Sequence, residues 1–330
     1  MTVGLMNIRS ILVPALLIAG SCSAADPAFP EAHISNGAIT AKLLLPDAEK
    51  GYYRGTRFDW SGQIESLKTK EHEYFGKWFD KYDPKLHDAI MGPVEEFAES
   101  IGYDEAQVGG TFVRIGVGAL KKPEEPRFER FKTYDIADHG KWSVKKGKDS
   151  IEFTQDLGGH NGYSYKYTKR ISLAKGKPEM VIHHTLKNTG KKAITTTQYN
   201  HNFFVLDGEP TGPDASVTFS FEPRPTRPMP DGVAELRGTQ IAYLKELPKG
   251  QSVYNEFEGF GKTASDYDIK VENKKSGAGV RIQGDQPITK MVYWSIRSTL
   301  CPEAYIALNV APGAESKWTY HYTFYDTRKQ

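Results

Sequence analysis

Cysteine is almost missing from this sequence. Only Cys22, in an apolar N-terminal segment, and Cys301, far downstream, occur. A disulfide-stapled fold is thereby excluded, and stability has to come from a packed core. Neither CxxC nor HExxH spacing is present, so no zinc site, and no other metal or cofactor, is expected. An excess of one charge is also lacking. The formal net charge is only +2, with 43 Lys and Arg against 41 Asp and Glu. That leaves no surplus to neutralise a phosphate backbone, and nucleic acid is not an expected partner. No repeat of fixed period occurs, which disfavours propellers and solenoids. Beyond the N-terminus no apolar run is long enough for a membrane span.

The N-terminus carries its own signal. Arg9 precedes the apolar run 11–19, and small residues follow from Gly20 to Ala25. This is the pattern of a secretory signal peptide over residues 1–25, cleaved near Ala24 or Ala25. A periplasmic or secreted protein is the expectation, with residues 26–330 forming one domain. The run is shorter than the ~20 residues a membrane helix needs. Ala19-Gly20-Ser21-Cys22 loosely resembles a lipobox, but Ala stands where Leu is usual, so lipidation at Cys22 is the weaker alternative.

What the chain does have is aromatic residues and turn formers: 18 Tyr, 16 Phe, 31 Gly and 19 Pro. That is the profile of many strands joined by tight turns. Apolar and aromatic residues alternate with polar ones through Tyr165, Tyr167, Ile171 and Leu173. The alternation returns through Met180, Ile182, His184 and Leu186, and again through Trp318, Tyr320, Tyr322 and Phe324. Period two sends alternate side chains to opposite faces of a strand. Residues 34–46 are expected to form the first strand, with Gly37 as a turn point. Residues 71–106 are expected to be loops with a short helical turn, and 210–230 a proline-rich surface connection. The sum is an all-β fold, a large antiparallel β-sandwich of two sheets packed face to face.

The segment most suggestive of chemistry is Tyr199-Asn200-His201-Asn202-Phe203-Phe204. Here amides flank a histidine, positioned to fix its tautomer for proton transfer, and aromatics beside it suit stacking on a sugar ring. The run resembles the Asn-His-x-Tyr-Phe-Asn segment of aldose 1-epimerases (galactose mutarotases). Asn200 and His201 match the family pair, Phe203 takes the Tyr place, and Val205 replaces the usual Asn. A second block, Leu300-Cys301-Pro302-Glu303, followed by Pro312-Gly313, is similar to the family's C-terminal Cys-x-Glu block. The resemblance implies a galactose mutarotase-like supersandwich and an isomerase that interconverts the anomers of a free sugar. It assigns His201 as general acid and Glu303 as general base, with a sugar or glycan end as partner and no cofactor. Polysaccharide lyases, glycoside hydrolases and carbohydrate-binding proteins use the same architecture and remain alternatives, because fold does not fix function.

Supporting residues are nominated more loosely. Arg54 and Arg57 lie among Tyr52, Tyr53 and Trp60, and arginine's rigid fork of donors suits hydroxyls and carboxylates. Either matches the family's early substrate-contacting arginine in position. His72 or His87 is nominated for the family's second sugar-binding histidine. Asn200 and Phe203 complete the substrate set with one of Glu95 and Glu96, since strand neighbours point oppositely.

Overall fold

The computed structural model describes Met1 and residues 29–329, so the expected leader and Cys22 fall outside the described residues. Strands β1 (Glu31–Ser35), β2 (Thr40–Leu44) and β3 (Gln63–Lys68) form a small antiparallel sheet. The single strand expected at 34–46 is thus a hairpin, turned at Gly37, whose φ of 90° lies in the left-handed region that glycine enters freely. A long loop leads to β4 (Val94–Phe97). Strands β5 (Thr111–Arg114), β6 (Gly118–Lys121) and β7 (Ile136–Asp138) form a second small sheet. Within 71–106 no helix forms among the described residues, but the Ala106 amide donates to the Gly102 carbonyl at 3.0 Å, closing a single turn there.

A meander follows through β8 (Lys141–Lys146), β9 (Ser150–His160), β10 (Tyr163–Leu173) and β11 (Glu179–Asn188), after which the chain crosses to the opposing sheet as β12 (Ile194–His201). Next come β13 (Ala215–Phe219), β14 (Arg224–Pro225), β15 (Ala234–Arg237), β16 (Gln240–Tyr243) and β17 (Ser252–Glu258). The last five are β18 (Asp268–Asn273), β19 (Ala278–Gly284), β20 (Lys290–Ile296), β21 (Thr299–Val310) and β22 (Glu315–Asp326). The proline-rich stretch 210–230, expected to be a surface connection, contains β13, an inner strand of the larger sheet.

Two sheets dominate. One has ten strands in the order β15-β16-β13-β18-β19-β22-β11-β10-β9-β8, and the other six in the order β14-β17-β20-β21-β12-β4. Among the described residues every pairing in them is antiparallel, for example Ile182 against Tyr320. The alternating sequence stripes lie where period two places them: Tyr165, Tyr167, Met180, Ile182, Trp318, Tyr320, Tyr322 and Phe324 are all buried in one apolar cluster that runs from Ala32 to Phe324.

Charged groups also lie between the sheets, and they are paired. Lys169 of β10, fully buried, contacts Glu95 of β4, lies 3.8 Å from Asp59 and donates to the Ser61 carbonyl at 2.9 Å. His184 of β11 meets the other Glu95 oxygen at 2.8 Å. Burial works against the Glu95 charge, but Lys169 and His184 outweigh it and hold the carboxyl below its ordinary range. Removing one partner of such a network strands a charge away from water. Lys169→Ala is therefore expected to lower unfolding free energy by about 3–5 kcal/mol in urea titration. The double change Lys169→Ala with Glu95→Gln should cost less, and an equal or greater loss would show that packing of the lysine stem, not charge, is what matters.

Candidate active site

The six-stranded sheet has two faces with different work. Because strand neighbours alternate, Gln198, Asn200 and Asn202 point toward the ten-stranded sheet while Tyr199, His201 and Phe203 point away from it. Tyr320 donates to the Gln198 oxygen, the Asn200 amide donates to the Tyr322 hydroxyl at 3.0 Å, and that hydroxyl donates to Asn202 at 2.9 Å. The amides expected to fix the imidazole's tautomer thus do not touch it. Asn200, nominated for substrate, is fully buried on the far side of its strand.

Register brings the two proton-transfer candidates together. β12 pairs with β21 from Ile194↔Val310 to Gln198↔Ile306, and the same offset returns at the bridge Phe204↔Leu300. Between these points it sets Tyr199 opposite Tyr305, whose rings stack at 4.2 Å, and His201 opposite Glu303. His201 Nε2 lies 3.3 Å from Glu303 Oε1. On the other flank of β12, the loop before β4 comes so close that a side chain at Gly92 would meet the His201 carbonyl oxygen at 2.8 Å.

A cleft of about 300 Å³ opens over this pair. His201, Phe203, Glu303 and Tyr305 form part of its lining, with Trp294 and Lys290 from β20 and Tyr254 from β17. Loops supply Arg57, Asp88, Arg130 and Phe131. The imidazole is stacked on Phe203 at 3.8 Å and meets Phe58 edge-on at 5.6 Å. Its Nδ1 has no hydrogen-bond partner. Phe203 itself holds φ of 43°, an uncommon conformation for a non-glycine residue, which aims its ring under the histidine.

Glu96 organises the wall without lining it. This fully buried carboxylate accepts from Arg57 Nε at 2.8 Å, from Arg130 Nε and Nη2 at 2.6 and 2.8 Å, from Arg114 at 3.3 Å and from the Tyr199 hydroxyl. Burial alone would raise its pKa, but the arginines hold it well below the usual carboxylate range. Arg57 also contacts Asp88, and its guanidinium sits 4.4 Å from the Phe58 ring and 4.8 Å from Phe131.

The other nominations separate. Glu95 faces the inter-sheet network. His72 is buried elsewhere, its Nδ1 2.8 Å from Asp207. Arg54 donates to the Glu49 carbonyl and lines a different cleft. His87 stays near the site, 3.0 Å from Asp88 and packed on Phe131, but does not line the cleft. Arg130, Phe131, Tyr254, Lys290 and Trp294 were not singled out as site residues. The loop residues show no periodicity, and those on β17 and β20 are recognisable only once the sheet order is known.

No protein-family model matches the sequence, and no curated protein matches it significantly. Solved structures do match in shape. A GalM/aldose epimerase homologue from C. elegans superposes with a TM-score of 0.57 at 16% identity, covering 91% of this chain and 99% of that one. A galactose mutarotase-like protein from Clostridium acetobutylicum gives 0.54 at 13% identity, covering 89% and 94%. The chain has the galactose mutarotase-like fold. A galactose mutarotase related enzyme from Lactobacillus acidophilus adds a third such likeness, with a TM-score of 0.51 at 14% identity over 90% of this chain and 98% of the other. On this fold the cleft lies on the outer face of the smaller sheet, under the loops that connect β2 to β3, β3 to β4 and β6 to β7.

Electrostatics at the pair follow from its burial. Burial, reinforced by the Arg57 charge, pushes the His201 pKa well below its ordinary value, and burial lifts that of Glu303 to about 8. At neutral pH these directions favour a neutral imidazole and a protonated carboxyl. Replacing Arg57 by Gln removes a cation that disfavours the imidazolium, so the His201 resonance should titrate at higher pH than in the parent protein. An unchanged or lower midpoint in an NMR titration would contradict this electrostatic picture.

Proposed function

We propose that the protein is an exported aldose 1-epimerase that interconverts the anomers of a free sugar by opening and reclosing its ring. The observation that carries the reading is the buried His201–Glu303 pair, 3.3 Å apart, at the floor of a cleft at the small end of the ligand-pocket range. Aromatic rings in the lining offer stacking faces to a sugar.

The chemistry is a proton relay. One group removes the proton from the anomeric hydroxyl while the other protonates the ring oxygen. The C1–O5 bond breaks, the C1–O1 bond becomes a carbonyl, rotation about C1–C2 turns the aldehyde, and reclosure returns both protons. Such a relay requires one proton on the pair. The roles implied by the resemblance put it on His201, whereas burial, which raises Glu303 and lowers His201, favours Glu303. The two states differ only by transfer of that proton, so the pair titrates as a unit.

Loss of either group is expected to cost about 10²–10⁴ in rate. Polarimetry of freshly dissolved α-glucose, α-galactose and other aldoses measures it: the parent protein accelerates mutarotation, and His201→Asn and Glu303→Gln do so far less while keeping the β-sheet circular dichroism. A panel in which no aldose exceeds its spontaneous rate refutes the assignment.

The pH profile tests the relay separately. A second proton on the pair abolishes the acceptor, and this happens only on the acid side, below the ordinary histidine range. Loss of the single proton abolishes the donor, so kcat/KM should fall on the alkaline side with a midpoint near the value of about 8 for Glu303. An alkaline limb that does not move in Glu303→Gln would assign that ionisation elsewhere.

A further inference from the structure

Two residues that the sequence draws attention to, Arg54 and Trp60, are not part of the His201–Glu303 cleft. They meet His139 in a second one, of about 540 Å³, together with Lys85, Lys121, Thr133, Tyr134 and Asp135. The two clefts stand back to back and share a wall. In residues 54–57, Arg54 faces the second cleft and Arg57 the first; in 85–88, Lys85 faces the second and Asp88 the first. In 130–136, Arg130 and Phe131 line the first, and Thr133 to Ile136 line the second. Hydrogen bonds tie the wall together, from the Arg54 amide to the Pro84 carbonyl at 2.6 Å and from the Thr133 hydroxyl to the Lys85 carbonyl at 2.6 Å.

Unpaired positive charge points to the occupant. Arg54, Lys85 and Lys121 bring three cations, and among the described residues none of them has a carboxylate at ion-pair distance. Elsewhere in the molecule lysines and arginines are widely paired, as Lys132 is with Glu125 at 2.6 Å. Arg54 and His139 each also carry one nitrogen, Nε and Nδ1, that is shut off from solvent with no partner, so a ligand would meet these side chains through the other guanidinium nitrogens and through His139 Nε2. Burial lowers the His139 pKa, so this imidazole offers a hydrogen bond and not a charge. It packs against Trp60 with ring centroids 5.0 Å apart. Asp135, the one carboxylate in the lining, is exposed and can accept from hydroxyls, while it repels a bare small anion.

We infer that this second cleft binds an acidic sugar, its anionic group held by Arg54, Lys85 and Lys121 and its hydroxyls by Asp135, Thr133 and His139. Three cations beside one acceptor carboxylate complement a ligand that carries one negative group among many hydroxyls. The site does not depend on the epimerase reading, since none of its residues takes part in that proton relay.

Calorimetric titration of the full protein with sodium glucuronate, at low salt, is the test. Binding is expected to survive in Glu303→Gln, which alters only the first cleft. It should weaken about tenfold for each cation removed in Lys85→Ala and Lys121→Ala, the scale of a hydrogen bond to a charged group. Both lysines are at least partly exposed, so these variants should keep the parent's thermal midpoint. Glucose should bind far more weakly than glucuronate, and 0.5 M NaCl should weaken the glucuronate complex by screening. The proposal is overturned if glucuronate does not bind, if Glu303→Gln abolishes binding while the lysine variants retain it, or if inorganic sulfate binds as tightly as glucuronate.

Discussion

The antiparallel register of β12 against β21 is the constraint on which the site depends. A strand pair has one offset, and shifting it by a single residue would exchange the faces of every side chain on the moved strand. At the observed offset Tyr199 meets Tyr305 and His201 meets Glu303, all on the outer face. The offset is held well away from the site, by the ladder Ile194 to Gln198 on one side and by the Phe204–Leu300 bridge on the other. It is held from beneath as well, because Asn202 donates to the Pro302 carbonyl at 2.6 Å and accepts from Tyr322 of the opposing sheet. The amides beside the histidine therefore matter, but as anchors of the strand and not as partners of the ring.

The neighbours Glu95 and Glu96 show how one strand serves two electrostatic environments. Glu95 turns inward to Lys169 and His184, and Glu96 turns outward to three arginines and Tyr199. Both carboxylates are fully buried, and each remains ionised only because cations were buried with it. Glu303 differs from both. Its close neighbour is a neutral imidazole, and the arginines that stabilise Glu96 spend their hydrogen bonds there. Desolvation therefore wins at Glu303 and loses at Glu96, in the same sheet and two strands apart in its order β4-β12-β21.

What could be read from the sequence followed from local geometry. The alternation in β10, β11 and β22 depends only on the two-residue strand repeat, and those side chains lie in the core as expected. The all-β class followed from the same signal. Strand ends and partners were less legible: Gly37 was seen as a turn point but not as a hairpin, and the prolines at 210–230 hid β13, because proline is compatible with the segments flanking a strand. At the site, His201 and Glu303 were nominated through local resemblance, and the register sets them side by side. Asn200 was misplaced by treating sequence neighbours as spatial neighbours, which the pleat forbids. His72 and Arg54 were drawn from an irregular stretch, where nothing local says which way a side chain turns. Arg130 carries no local signal, and its role becomes visible only through Glu96, which contacts three arginines from separate segments.

The fold by itself does not decide the reaction, since one architecture can host several. The more discriminating feature is how little of the His201 surroundings is polar. Its ring lies between Phe203 and Phe58, and Nδ1 has no partner, so nothing protein-borne stabilises a permanent imidazolium except Glu303 and the more distant acids. A histidine built to stay charged, or to grip an anion, would be expected to have a carbonyl or carboxylate on its far nitrogen. One that passes a proton to and from its neighbour needs the opposite, a setting in which neither ionic form of the pair is strongly trapped. With Glu303 raised and His201 lowered by the same burial, the energies of the two one-proton forms are set by one shared desolvation rather than by separate partners, and on the proposed epimerase reading a sugar hydroxyl entering between them is the group that tips the balance.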